Sequence, residues 1–80
     1  MSIRELDTVV LDRDLPEHGL RRGDIGAVVH VYDREAVEVE FVRLSGQTQA
    51  LVRLDFAAVR AGQDADLPAV RTTEFRRGAA

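Results

Sequence analysis

Residues 36–43 read AVEVEFVR, and this strict alternation most narrows what the chain can fold into. Val37, Val39 and Phe41 fall on one side of an extended segment, and Glu38 and Glu40 on the other. A period of two describes a strand with one dry face and one wet face. Such a strand needs a neighbour. Residues 27–32, AVVHVY, are rich in β-branched side chains and end just before a turn at residues 33–36. Pairing Val31 with Val37 leaves a loop of residues 32–36. It puts Ala27, Val29 and Val31 on the inner face, with Val28 and His30 outside opposite the glutamates.

Glycines punctuate the rest. Gly23 and Gly26 flank Asp24 and Ile25 at the entry to the 27–32 strand, where a positive φ or a close backbone approach would let a short sheet curl. Upstream, Leu6 and Thr8 with Val9, Val10 and Leu11 read as a first strand closed by Asp12, Arg13 and Asp14. The loop after it turns at Pro16, Glu17, His18 and Gly19. Downstream, Gly46 is the pivot of a turn and residues 48–55 form a further strand, with Ala50, Val52 and Leu54 inward and Leu51 and Arg53 outward. Residues 56–61 suggest one helical turn and a last short strand at Val59. Four or five short antiparallel strands without a helical period indicate an all-β fold, a small barrel over residues 1–60. Residues 61–80 form a C-terminal tail, either frayed or carrying an extra strand within residues 69–75.

At 80 residues the chain holds one core, burying roughly 60–65% of the surface its unfolded form exposes. It has no cysteine, which excludes disulfides, thiolate metal sites and thiol nucleophiles. No apolar run nears the ~18 residues of a membrane helix, and MSIRELD lacks the basic-then-apolar plan of a signal peptide, so a cytoplasmic protein without membrane association is expected. Net charge is −3, with eleven acids against eight arginines in the first sixty residues. That balance disfavours generic nucleic-acid binding, which draws its affinity from basic excess.

Candidate chemistry is sparse. His30 facing Glu38 and Glu40 supplies at best a surface cluster, short of a metal site. Ser45 lies in a turn without a base beside it, and the acid pairs Asp12/Asp14 and Glu38/Glu40 fit wet faces. Catalytic, metal and cofactor residues are therefore expected to be absent. Of the four aromatics, Phe41 reads as core and Phe56 as a cap on the barrel's end. Tyr32 and Phe75 remain, too few for an aromatic cage.

DTVVL, DLPEHGL, a glycine–aspartate–x–glycine entry into VV, a tyrosine and then EVEF recur here in an order that resembles a bacterial family, domain of unknown function 4926. The glycine entry and alternating strand are also similar to SH3-like barrels of the KOW and Tudor type. The resemblance covers roughly the first sixty residues and implies an SH3-like barrel and a bacterial origin, with no activity to carry over. In such barrels the ligand groove lies between the loop after the first strand and the turn between the second and third. By analogy it would gather Glu17, His18, Arg21 and Arg22 with Tyr32 and Arg34 as partner-binding residues. The function expected is a non-enzymatic protein-interaction module: an accessory or regulatory subunit, of which an antitoxin or immunity-like role is one form. It would bind a protein partner or a second copy through a strand edge or the tail. The rival reading is a KOW-like RNA-binding module using Arg21, Arg22, Arg71, Arg76 and Arg77.

Overall fold

The computed structural model describes residues 3–73. It contains five antiparallel strands: β1 (Thr8–Leu11), β2 (Ile25–Tyr32), β3 (Ala36–Val42), β4 (Thr48–Asp55) and β5 (Val59–Ala61). They form one sheet in the order β4-β3-β2-β1-β5, and the fold is all-β. Short 3-10 turns occupy Pro16–His18 and Phe56–Ala58.

The connection from β4 to β5 forces this sheet to coil. These strands lie at opposite edges, about 19 Å apart if five strands lay flat at ~4.8 Å spacing. Yet only the three residues Phe56–Ala58 join them, a 3-10 turn that advances about 6 Å. The edges must therefore curl to within one turn of each other, giving a small barrel-like wrap around a core of Val9, Leu11, Val28, Val37, Val39 and Phe41. Each of these is at most 2% exposed, and among the described residues no polar or charged side chain is buried.

β2 makes the bend by serving both halves. Its first residues pair with β1 (Thr8↔Ala27, Val9↔Gly26), and those from Ala27 onward pair with β3. Val31↔Val37 is the expected register, and Tyr32↔Ala36 closes the hairpin tighter than expected, with Asp33 at φ 54° in a three-residue turn.

The inner face of β2 differs from the alternating expectation. Val28 pairs with Val39 but His30 pairs with Glu38, so Val29 is an extra residue that bulges the strand. A bulge resets parity: Val28, not Val29, is fully buried, while Ala27 and Val29 face outward. Residues 28 and 31 point inward three positions apart, a spacing that strict alternation cannot produce.

The two glycines at the start of β2 divide the tasks that glycine allows. Gly23, at φ +96°, makes the turn. Gly26 is buried, and a Cβ there would lie 2.5 Å from Val39 Cγ1 and within 3.0 Å of the Phe41 ring. The missing side chain is what lets Phe41 lie against the β2 backbone.

Elsewhere β4 spans the expected residues, with Val52 and Leu54 buried and Leu51 and Arg53 exposed. Phe56 packs against the core from the 3-10 turn, as its capping role requires. Leu6 is not part of the first strand. It sits at φ 73° and 84% exposed in the turn before β1. Residues 69–73 form no strand, and Glu74 and Phe75 of the candidate tail strand lie outside the described residues.

Candidate functional site

The loop of residues 12–24 is built by its own aspartates. Leu15 and Leu20 bridge to each other, and Leu20 drops into the core at 4% exposure. Asp14 Oδ1 accepts the Arg22 N–H (2.9 Å), and Asp24 Oδ2 accepts the Arg21 N–H (2.7 Å). Leu11 N–H donates to the Asp24 carbonyl, and Gly23 N–H to the Leu11 carbonyl, both at 2.8 Å. These carboxylates satisfy backbone donors, which gives the loop one conformation. Glu17, Arg21 and Arg22 are exposed on its surface, and His18 is half-buried. The Arg22 guanidinium lies 3.3 Å from Asp12, an exposed pair of little energetic weight.

The His18 carbonyl accepts a hydrogen bond from Gln49 Nε2 (3.1 Å), so this loop abuts the start of β4. Tyr32 and Arg34 belong to the other end. Tyr32 is level with Ala36, which pairs with Asp55 at the finish of β4. Six residues of strand, about 20 Å, separate the two levels. The structure thus groups Glu17, His18, Arg21 and Arg22 in one loop, and sets Tyr32 and Arg34 apart from them.

Tyr32 has partners of its own on the outer face of the sheet. Its hydroxyl donates to Glu38, the Arg53 guanidinium stacks 4.6 Å from the ring centroid, and His30 meets the ring edge-on at 4.6 Å. The hydrogen bond to Glu38 raises the Tyr32 pKa above 10.0; desolvation and the Glu38 charge add to this, and Arg53 opposes it. His30 Nδ1 stands 3.7 Å from Glu5. Glu40 accepts a hydrogen bond from Thr48 Oγ1 (2.6 Å). Among the described residues, no group of three or more histidines and carboxylates could hold a metal ion. Arg53, absent from the sequence-based set, was accessible in principle, since it lies directly across from Glu38.

The tail contributes the best-defined charged contact. Arg71 donates from Nε to Asp24 Oδ1 (3.0 Å) and from Nη2 to Asp24 Oδ2 (2.5 Å) and the Gly19 carbonyl (3.1 Å). Both side chains are largely covered, at 25% and 20% exposure. Burial pushes the Asp24 carboxyl upward, but the Arg71 hydrogen bond, the Arg21 N–H and the two arginine charges together hold it below its ordinary value. A second fork joins Arg60 to both oxygens of Asp66, at 2.9 and 2.8 Å. Between these anchors the tail crosses the outer side of β1, with a shallow cavity of about 430 Å³ lined by Val10, Ile25, Ala61, Asp66 and Pro68 among others. Val10 is 6% exposed although it points away from the core. Arg76 and Arg77 lie outside the described residues. Among those described, no helix is long and apolar enough to cross a membrane.

No curated protein and no solved structure matches this chain. The family described as Domain of unknown function (DUF4926) matches residues 5–61, the barrel with all five strands and its aspartate-built loop. Since the match covers well over half of the chain, the protein belongs to the DUF4926 family.

Proposed function

We propose that this protein is a non-enzymatic protein-interaction module whose partner adds a strand to the free edge of β4. The observation that carries this reading is the edge itself. Among the described residues the eight-residue β4 pairs with β3 alone, at seven positions, and Leu51, Val42 and Leu44 stand exposed on or beside it. A long edge offers unpaired N–H and C=O groups to another chain, and apolar side chains beside it supply pockets for alternate residues of the incoming strand. A second copy could supply that strand as well as a different protein. An accessory or regulatory subunit, in an immunity-like or other setting, would work in this way from the cytoplasm.

RNA binding has less support. Of its expected contacts, Arg71 is held by Asp24 in a largely covered pair and so presents no uncompensated charge to a phosphate.

The test is affinity capture with the full chain from lysate of the source organism, with and without nuclease, beside a Leu51→Lys variant. A stoichiometric protein that survives nuclease and is lost with Leu51→Lys is the expected result. Recovery that vanishes with nuclease and weakens steeply with salt would replace this reading by the nucleic-acid one. Capture unaffected by Leu51→Lys would move the interface off β4.

A further inference from the structure

The contact between Arg71 and Asp24 has the form of a receptor and its ligand. All the groups that shape the receptor side come from residues 11–24. The Asp24 side chain is set by the Arg21 N–H, its carbonyl by the Leu11 N–H, and the Gly19 carbonyl by a left-handed turn at φ 70°. The groups that shape the site are therefore supplied by the loop and not by the tail. Its two carboxylate oxygens and one carbonyl match the planar fork of a guanidinium, which a lysine ammonium cannot reproduce.

The occupant is attached quite differently. Leu67 and Val70, the large apolar residues of the tail's described part, are 88% and 96% exposed, so burial of their side chains does not hold it down. Its hold is polar, through Arg60–Asp66 and Arg71. A further asymmetry points the same way: the receptor lies within the stretch matched by the family, residues 5–61, and the occupant lies beyond it.

We propose that Asp24 and the Gly19 carbonyl form a binding pocket for an arginine side chain carried on an extended peptide, and that residues 62–73 fill it in cis as a built-in competitor. A partner segment bearing an arginine takes the same place when the tail leaves. Charge complementarity selects the class, because the pocket offers an incoming group one carboxylate, on which the Arg21 charge also acts, and one carbonyl. This site uses groups other than the β4 edge, although its loop meets the start of β4 through His18 and Gln49, and it shares with the preceding reading the premise that the partner is a protein.

The probe is a labelled peptide of residues 67–73, LPAVRTT, acetylated and amidated, titrated by fluorescence anisotropy into the full chain and into its Arg71→Ala variant. Arg71→Ala empties the pocket and is expected to bind at least tenfold more tightly than wild type. On that variant, a peptide with lysine in place of arginine should bind at least fivefold more weakly, and Asp24→Asn added to Arg71→Ala should abolish binding. Should Asp24→Asn unfold the chain, the arginine and lysine peptides on Arg71→Ala alone decide the matter. Equal binding by wild type and Arg71→Ala, or by the arginine and lysine peptides, overturns the proposal. Because the assay needs no cellular partner, its failure is distinct from failure of the capture experiment.

Discussion

The barrel and the strap of residues 62–73 that crosses it are held by opposite physics. In the barrel, Val9, Val28, Val37 and Val39 are wholly buried, and Phe41 fills the space that Gly26 leaves. Along the strap, Leu67 and Val70 stand in water while arginine–carboxylate forks make the attachment. Apolar burial is non-directional, is not screened by salt and is worth about 1.5–3 kcal/mol for each large side chain. Ion pairs near a surface are directional, weak and responsive to pH and salt. One eighty-residue chain thus combines a body that resists its conditions with a segment that answers to them.

The largest separation between the two regions should come from truncating one apolar side chain in each. Phe41→Ala is expected to cost about 3–5 kcal/mol, close to the whole stability of a domain this size, whereas Leu67→Ala should stay within about 0.5 kcal/mol. Urea unfolding of both variants checks this, and comparable losses would mean that the strap belongs to the core after all.

A smaller effect tests the fit within the barrel. Gly26→Ala places a Cβ 2.5 Å from Val39 Cγ1 and should destabilise by about 1–3 kcal/mol, with Val39→Ala recovering part of the loss in the double variant. Additive losses would show that the two positions do not share that space.

The mildest test is pH. Asp66 is lowered from 3.8 to about 2, first by its hydrogen bond to Arg60 and then by the Gln63 N–H. Asp24 is lowered as well. A carboxyl depressed in the folded state contributes stability above its unfolded value and loses it as protons return. The strap should therefore loosen as pH falls from about 4 towards 2, while the barrel strands keep their amide protection. Amide spectra across that range read both regions at once, and Asp66→Asn should loosen the strap at neutral pH. Simultaneous loss of strap and strand signals would erase the distinction.

Much of the barrel could be read along the chain. The alternation at residues 37–41, the Val31↔Val37 register and the 48–55 strand follow from side-chain period and turn residues, which act over a few positions. The candidate groove could not be read in this way. It came from analogy, and His18 lies at the start of β4 while Tyr32 is level with its finish. Arg53, Glu38 and His30 around Tyr32 follow from strand pairing once the register is known, so that cluster was within reach.

What the sequence determined by itself was local: extended segments, glycine turns, the all-β class and family membership, because each depends on neighbours in the chain. The tertiary structure alone decided three things. The bulge at Val29 sends Val28 inward, because β2 must bend to serve both β1 and β3. The burial of Gly26 depends on Phe41, fifteen positions away, arriving from the next strand. The union of Arg71 with Asp24 spans 47 positions, and both look like ordinary charged residues in water until the barrel coils and brings the tail across β1. Periodicity reports which way a side chain faces; only the coiled sheet determines what it meets.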